Sequence, residues 1–118
     1  NIRYSVIEWN ESDLKKQQER IESYVDEHPD STFFLLDEHG KTRSSERFAH
    51  KLDREKNADH DIVFLLGDAH GFEERFKKRF SERLSLSPMT FPHEIARFLL
   101  TEQLYRVVTL WQNRSYHK

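Results

Sequence analysis

The sequence predicts an α/β fold, in which a mostly parallel sheet is flanked by helices. Short, uninterrupted apolar runs indicate strands that are buried on both faces, as the strands of a parallel sheet are. Stretches with apolar residues at helical spacing separate these runs. The first three strand candidates begin roughly thirty residues apart, which is the length of one strand–helix unit.

Four segments have the composition of strands. Ile2–Trp9 is rich in β-branched and aromatic residues, and Leu84–Ser87 alternates leucine with serine. Thr32–Leu36 and Ile62–Leu66 are the continuous apolar runs. We expect these four segments to form the sheet.

Four helices are predicted around these strands. Asn10 or Ser12 is expected to cap the first helix, because short polar side chains accept hydrogen bonds from its first N–H groups. In the third helix, phenylalanine recurs at every fourth residue. Pro92 suits the first turn of the last helix, where its missing N–H costs nothing. The predicted bounds are Glu11–Glu27, Ser44–Lys56, Phe72–Phe80 and Pro92–Gln112.

The composition limits the classes of function. The chain has 118 residues, which suits one domain, and its net charge is −2, so any contact with nucleic acid requires a local basic patch. Cysteine is absent, which excludes disulfides and thiolate zinc sites and fits a cytosolic protein. No metal site is predicted, because His93 and Glu94 begin like a zinc-binding helix but Arg97 stands where the second histidine is needed.

The loops that follow the strands are the first candidates for a site, because ligands of parallel α/β sheets bind at the carboxyl ends of strands. These loops are residues 37–40, 67–71 and 87–91, and the three glycines of the chain all lie in the first two. Glycines in these loops are compatible with a ligand site or with ordinary turns that end strands. The Gly67–Gly71 loop is neither a dinucleotide fingerprint nor a P-loop, because the third glycine and the Lys-Ser/Thr pair are missing.

The last helix is apolar around most of its circumference. A sheet covers only one side of such a helix, so the other side requires a partner, most simply a second copy of the chain. Glu102 and Arg106 are spaced for a surface ion pair, while Arg97 and Arg106 are also suited to binding phosphate or carboxylate. The tail, residues 113–118, is either a disordered polar terminus or part of a site.

One linked pattern resembles a known family. It consists of Gly67 and Gly71 after a buried strand, the segment 84–93 (LSLSPMTFPH), then Arg97, the Glu102-x-Leu104-Tyr105-Arg106 motif and the terminal Tyr116-His117-Lys118. This pattern is similar to the RlmH-type SPOUT methyltransferases. The resemblance is strongest from residue 61 to the end and looser before it.

The resemblance implies a function and a fold. Members transfer a methyl group from S-adenosylmethionine to N3 of a pseudouridine in large-subunit (23S) ribosomal RNA, in the cytoplasm. Their α/β sheet carries a C-terminal trefoil knot, which is an exception to the rule that chains avoid knots. Members are homodimers, and the active site combines the cofactor pocket of one subunit with residues near the C-terminus. The implied partners are therefore ribosomal RNA and a second copy of the chain, with no membrane and no metal.

The resemblance also implies roles for individual residues. His117, Tyr116 and Arg106 are the expected catalytic residues, with the His117 imidazole as the proton acceptor and Tyr116 stacked on the base. Arg97, Arg114 and Lys118 are expected to hold RNA phosphates. The residues expected to bind the cofactor are Leu36, Gly67, Leu86, Ser87, Pro88, Met89, Thr90 and Phe91.

This sequence departs from the family at three places. Asp68 and His70 replace a glycine and a glutamate of the relatives' glycine loop, and Lys118 replaces a common arginine. Relatives also carry one further strand–helix unit before the position of Asn1, so we expect residues 1–118 to be a single SPOUT domain lacking that unit. Two alternatives stay open: a SPOUT-shaped RNA-binding module without catalysis, and a methyltransferase for another RNA.

Overall fold

A computed structural model of the chain describes residues 6–7, 11–56, 60–67 and 71–116, with the side chains of the last three excepted. The architecture is α/β, with a three-stranded parallel sheet between helices. This confirms the predicted fold class at the level of a parallel sheet flanked by helices. In chain order the elements are α1 (Leu14–Glu27), β1 (Thr32–Thr42), α2 (Ser45–Lys56), β2 (Ile62–Leu65), α3 (Glu74–Lys77), β3 (Arg83–Ser85) and α4 (His93–Tyr116).

The sheet has the strand order β2-β1-β3, which makes β1 the central strand. Phe34 and Leu35 on β1 are both 0% exposed, although neighbouring residues of a strand point to opposite faces. Both faces of the sheet are therefore covered, as the continuous apolar run of β1 predicts.

The helices form two layers, one on each face of the sheet. α2 and α4 cover the face of Phe34 with one apolar cluster, and α1 and α3 cover the face of Leu35 with another. The buried members of the first cluster are Phe34, Phe48, Ala49, Leu52, Leu84, Leu100 and Val107. Those of the second are Ile21, Leu35, Leu65, Phe76 and Phe80.

The central strand is longer than the sequence predicts, and the prediction that it ends at Leu36 is wrong. Pairing with β3 is interrupted after Leu36 and resumes at Lys41, so residues 37–40 form a bulge inside the strand. Gly40 makes this bulge possible, because a Cβ there would lie 2.7 Å from the backbone carbonyl carbon and oxygen of Arg83. Gly40 therefore lies within β1 and not in a loop that follows it.

Other predicted bounds are corrected by smaller amounts. β2 and β3 end at Leu65 and Ser85, one and two residues early, and the third helix is a single turn. The phenylalanine ladder that suggested a longer helix still packs ring on ring, with centroids 5.0 Å apart for Phe72 and Phe76 and 5.2 Å apart for Phe76 and Phe80.

The helix ends also differ from the predictions. Asp13 caps α1, instead of Asn10 or Ser12, and its carboxylate accepts hydrogen bonds from the N–H groups of Lys15 and Lys16. α4 begins one residue after Pro92 and continues four residues beyond the predicted end at Gln112.

Two predictions at the first strand and the glycine loop cannot be compared with the structure in full. Val6 and Ile7 have no regular secondary structure, and the rest of the predicted strand Ile2–Trp9 lies outside the described residues. Asp68 and His70 also lie outside them. Among the helices that are described, none has the length and apolarity of a membrane span.

Candidate methyltransferase site

The carboxyl edge of the sheet gathers most of the residues that the sequence assigns to a cofactor. Leu36 pairs with Leu84 on β3, and β3 ends one residue later, so the segment 86–91 leaves the sheet beside Leu36. Gly67 follows the end of β2, which is the other neighbour of β1. Because the three strands are parallel, these residues belong to one edge.

Ser85, the last residue of β3, holds the start of this segment. Its side chain is buried, and its hydroxyl lies 3.0 Å from the carbonyl oxygen of Glu38 and 2.9 Å from that of Ser87. A hydroxyl carries one proton, so the two carbonyl oxygens share a single donor. The hydroxyl of Ser87 in turn accepts a hydrogen bond of 3.0 Å from the N–H of Met89. The two serines therefore hold the start of the segment through hydrogen bonds to its backbone.

The bulge of β1 holds the same segment at a second point. The carboxylate of Glu38 accepts a hydrogen bond from the hydroxyl of Thr90, while its backbone carbonyl faces Ser85. Glu38 of the bulge thus contacts Ser85, just before the segment, and Thr90, near its end.

The bulge is itself anchored by a buried ion pair. The Asp37 side chain is 4% exposed, and its Oδ1 accepts hydrogen bonds of 3.2 Å from Lys77 Nζ and from the N–H of His39. Its Oδ2 has no hydrogen-bond partner among the described residues and lies 3.9 Å from a guanidinium nitrogen of Arg83. Burial lowers the pKa of Lys77, but its bonds to Glu74 and Asp37 outweigh this effect and leave the pKa raised. Lys77 is therefore charged, and α3 holds the bulge in place.

The residues at this edge have the composition of a small-molecule site. The side chains of Leu36, Leu86 and Phe91 are half-buried, so they offer apolar walls, while the backbone of the segment offers polar groups. A Cβ at Gly67 would lie 2.9 Å from the ring of Phe72, so only glycine leaves the space beside that ring open.

Pro88, Met89 and Thr90 form the exposed part of the segment. Met89 is 72% exposed, although methionine is an apolar side chain. An exposed apolar residue at the mouth of a candidate site is free to contact a ligand.

The predicted catalytic and RNA-binding residues lie on or beyond α4. Arg97 and Arg106 are exposed, and the Arg106 guanidinium donates to the Glu102 carboxylate one turn earlier, so the surface ion pair that the spacing allows does form. Arg114 and Tyr116 continue the helix, but their side chains lie outside the described set, as do His117 and Lys118 entirely. The roles proposed for Tyr116 and His117 therefore stay predictions, and Arg106 is the predicted catalytic residue whose side chain the structure describes.

The opposite, amino edge of the sheet carries a cavity of about 390 Å³. Its charged lining is already paired, since Arg79 contacts Glu22, and Lys51 lies 2.5 Å from Glu82 and 3.5 Å from Glu55. Ligands of open parallel sheets bind at the other edge. We therefore assign the candidate site to the carboxyl edge. Within the described residues, no group of three or more potential ligands could hold a metal ion.

Comparison with known proteins decides the family. A family model described as "Predicted SPOUT methyltransferase" matches residues 3–117. The chain belongs to the SPOUT methyltransferase family. Within it, the chain is similar to curated members that are named ribosomal RNA large subunit methyltransferase H. The resemblance to RlmH-type SPOUT methyltransferases is therefore confirmed.

Three relatives give the extent of this similarity. The protein of Prochlorococcus marinus (strain MIT 9211) is 37% identical over 114 residues, which cover 97% of this chain and 76% of the relative. That of Synechococcus sp. (strain CC9605) is 38% identical over 114 residues, which again cover 97% of this chain and 76% of the relative. That of Coprothermobacter proteolyticus is 45% identical over 85 residues, which cover 71% of this chain and 61% of the relative.

The supporting roles of four residues were not predicted from the sequence. Asp37, Glu38, Lys77 and Ser85 set the position of the bulge and of the segment 86–91. Ser85 had a recognisable signal, because a serine within a buried strand requires a hydrogen-bond partner. Lys77 had none, since it lies in a run that also contains Arg75, Lys78 and Arg79.

Proposed function

We propose that this SPOUT methyltransferase transfers a methyl group from S-adenosylmethionine to N3 of a pseudouridine in large-subunit ribosomal RNA. The observation that carries the proposal is the similarity to relatives named ribosomal RNA large subunit methyltransferase H over 97% of the chain. The arrangement of Leu36, Gly67 and the segment 86–91 at one edge of the sheet supports it. A ribosomal substrate would place the enzyme in the cytoplasm.

We assign the methyl donor to the carboxyl edge of the sheet. Leu36, Leu86 and Phe91 would enclose the adenine, and the backbone of residues 87–90 would bind its polar atoms and the ribose. When bound, S-adenosylmethionine supplies an electrophilic methyl group. The support for this assignment is the fit of half-buried apolar side chains and an open position at Gly67.

The protein's contribution to the reaction is to orient the base and accept a proton. A bond forms between N3 and the methyl carbon, the sulfur–methyl bond breaks, and N3 gives up its proton. The His117 imidazole is the group that we propose as the acceptor, because histidine is the side chain type best suited to take a proton near neutral pH. Tyr116 would stack on the base and Arg106 would hold it, so that alignment supplies much of the reduction in the barrier.

We further propose that the enzyme works as a homodimer through α4. Ile95, Phe98 and Tyr105 lie on one face of α4 and are 47%, 68% and 71% exposed, while Leu100 and Val107 are buried against the sheet layer. A helix that is apolar on both sides requires a second partner. A second copy would cover the exposed face and bring the C-terminal residues of one subunit to the site of the other.

Three remaining parts of the proposal follow from family membership. Arg97, Arg114 and Lys118 would hold RNA phosphates around the target. Residues 1–118 would form one domain, and the segment after β3 would thread a trefoil knot. The match covers 76% of the length of the Prochlorococcus marinus relative.

Methyl transfer to ribosomes tests the proposal directly. Ribosomes from a strain that lacks the enzyme are incubated with the chain and S-adenosylmethionine, and the nucleosides of the large-subunit RNA are analysed by mass spectrometry. We expect one N3-methylpseudouridine per ribosome. A methyl group on another nucleoside would favour a methyltransferase for a different target, and cofactor binding without transfer to any RNA would contradict the proposal.

A single-turnover assay tests the proposed proton acceptor. We expect His117→Ala to slow transfer at least about a hundredfold, since positioned acid–base groups contribute that much. The affinity for S-adenosylhomocysteine should not change. Full activity of His117→Ala would remove His117 from the mechanism.

A further inference from the structure

We propose that the end of β1 and the outer face of α2 form a surface that binds the phosphate backbone of the RNA substrate. The surface consists of Lys41, Arg43, Arg47 and Arg54 and is called the α2 basic surface below. This inference rests on the proposed function, because it identifies the substrate-binding surface of that same site.

The first observation is an uneven distribution of charge along the chain. Residues 41–54 contain five lysines and arginines against two acidic residues, whereas residues 11–30 contain seven acidic residues against three lysines and arginines. α2 and α1 lie on opposite faces of the sheet. Residues 41–54 are therefore a local excess of positive charge in a chain whose net charge is −2. Such a local patch attracts a polyanion regardless of the overall charge.

The second observation is that the cations of this surface are not used inside the protein. Lys51 pairs with Glu55 and Glu82, and Lys56 pairs with Asp53. By contrast, Lys41, Arg43, Arg47 and Arg54 form no ion pair with any carboxylate in the described part of the chain. Lys41, Arg47 and Arg54 are exposed, and Arg43 is half-buried.

The third observation is that two of these cations, Arg47 and Arg54, share one face of α2. Phe48, Ala49 and Leu52 are buried against the sheet layer, so Arg47 and Arg54, two turns apart, project on the outer side. The rise of an α-helix places them about 10 Å apart along the axis. Together with Lys41 and Arg43, which precede the helix, they form a row of positive charge and not a single point.

The fourth observation is that this row begins beside the candidate site. Lys41 pairs with Leu84 in the sheet, two residues before the segment 86–91. Ser45, at the start of α2, donates a hydrogen bond of 2.5 Å to Gln103 on α4, one turn before Arg106. The row therefore leads away from the edge where the methyl donor is proposed to bind. An RNA strand whose target base enters the site would pass over it, and phosphate contacts there would fix the position of the strand.

The test compares two variants that remove the same number of positive charges. The site variant is Lys41→Gln, Arg43→Gln and Arg47→Gln. The matched control is Lys15→Gln, Lys16→Gln and Lys78→Gln, which changes three exposed cations of the α1 and α3 layer. Binding to unmethylated ribosomes is measured across a range of salt concentrations, in the presence of S-adenosylhomocysteine. The affinity for S-adenosylhomocysteine alone is measured in parallel as a check on folding.

We expect the site variant to bind ribosomes at least about tenfold more weakly and to lower the slope of log K against log salt by about 2, since each lost phosphate contact removes 0.7 to 0.9. Its affinity for S-adenosylhomocysteine should stay at the wild-type value, and the control should match the wild type in both measurements. If the site variant does not fold, Arg47→Gln with Arg54→Gln, two exposed changes on α2, should lower the slope by about 1 to 2.

Three results would overturn the inference, and they differ in what they say of the proposed function. A wild-type enzyme that methylates ribosomes, together with a site variant of unchanged salt slope, would reject the surface alone. A wild-type chain that binds S-adenosylhomocysteine but neither binds nor methylates ribosomes would reject the surface and the proposed function together. Equal losses in the site variant and the control would show a general charge effect and would also reject the surface.

Discussion

The two edges of the sheet use polar side chains in different ways. At the amino edge, Lys51 bridges two glutamates. The hydroxyl of Thr32 donates a hydrogen bond of 3.0 Å to the Glu55 carboxylate, and its oxygen lies 2.5 Å from His60 Nε2. At the carboxyl edge, Ser85 and Glu38 bind and position a backbone segment, and the side chains of that segment remain partly exposed. The amino edge is a network of paired side chains that stabilises the fold, whereas the carboxyl edge holds the segment that we propose to bind the methyl donor.

The ion pair of Asp37 and Lys77 should produce the largest effect on stability. Lys77→Met leaves the Asp37 carboxylate buried without its main partner, so we expect unfolding free energy to fall by about 3 kcal/mol. Denaturant unfolding measures this loss. The Glu74 side chain, the other partner of Lys77, is 69% exposed. Glu74→Gln should therefore lower the free energy of unfolding by less than about 0.5 kcal/mol. Equal losses of unfolding free energy in the two variants would contradict the conclusion that Lys77 anchors the bulge through Asp37.

Two glycines at the carboxyl edge should respond differently to the same substitution. Gly40→Ala places a Cβ 2.7 Å from the backbone of Arg83, which cannot yield easily, so we expect a loss of about 2 kcal/mol in stability. Gly67→Ala meets only the ring of Phe72, a side chain that can rotate, so its stability should change less. Its affinity for S-adenosylhomocysteine should nevertheless fall, because the space beside the ring is filled. Calorimetry and denaturant unfolding of the two variants separate these effects.

Glu55 makes the stability of the amino edge depend on pH. Burial raises the pKa of Glu55, but the hydrogen bond from Thr32 and the charge of Lys51 outweigh it, so the pKa lies below its ordinary value. The resulting stabilisation is present above the ordinary pKa of a glutamate and is lost as the pH falls through the lowered pKa. Glu55→Gln should cost about 1 kcal/mol at pH 7 and should converge with the wild type in acid. A constant difference between the two proteins from pH 7 to pH 3 would contradict this.

Arg106 should show the smallest effect on stability and a large effect on activity. Its ion pair with Glu102 is exposed and spans one helical turn, so its loss in Arg106→Gln should cost about 0.3–0.5 kcal/mol. Methyl transfer to ribosomes should fall much further if Arg106 holds the base. Glu102→Gln breaks the same pair and serves as the matched control. Equal activity of the two variants would leave Arg106 with a structural role only.

The sequence predicts the layered fold well because apolar runs report burial directly. The runs at Phe34 and Leu35, and at Leu65, are strands of a parallel sheet, as predicted. The bulge at residues 37–40 was missed because its stability comes from Lys77 and Arg83, which are remote in sequence. No local sequence pattern encodes such contacts. The polar residues 37–40 were therefore predicted to be a loop, although they continue the strand.

The candidate site was predictable in part for a similar reason. The segment 86–91 was identified because its sequence resembles a family, and the sheet places it beside Leu36. The buried hydroxyl of Ser85 and the carbonyl of Glu38 that it faces depend on the register between β1 and β3. Register is a property of the folded sheet, and it is not visible in either segment alone.

The most direct test of the central claim is calorimetric titration of S-adenosylhomocysteine into a pair of variants, one for each edge. Ser85→Ala removes the hydroxyl under the segment 86–91, and Thr32→Val removes a hydroxyl of the amino-edge network. Each should lose about 1 kcal/mol of stability. We predict that Ser85→Ala lowers the affinity at least about tenfold, which corresponds to 1.4 kcal/mol, and that Thr32→Val leaves it unchanged. Absence of binding to the wild type at millimolar ligand, or equal affinities of the two variants, would contradict the claim that the carboxyl edge of the sheet binds the methyl donor.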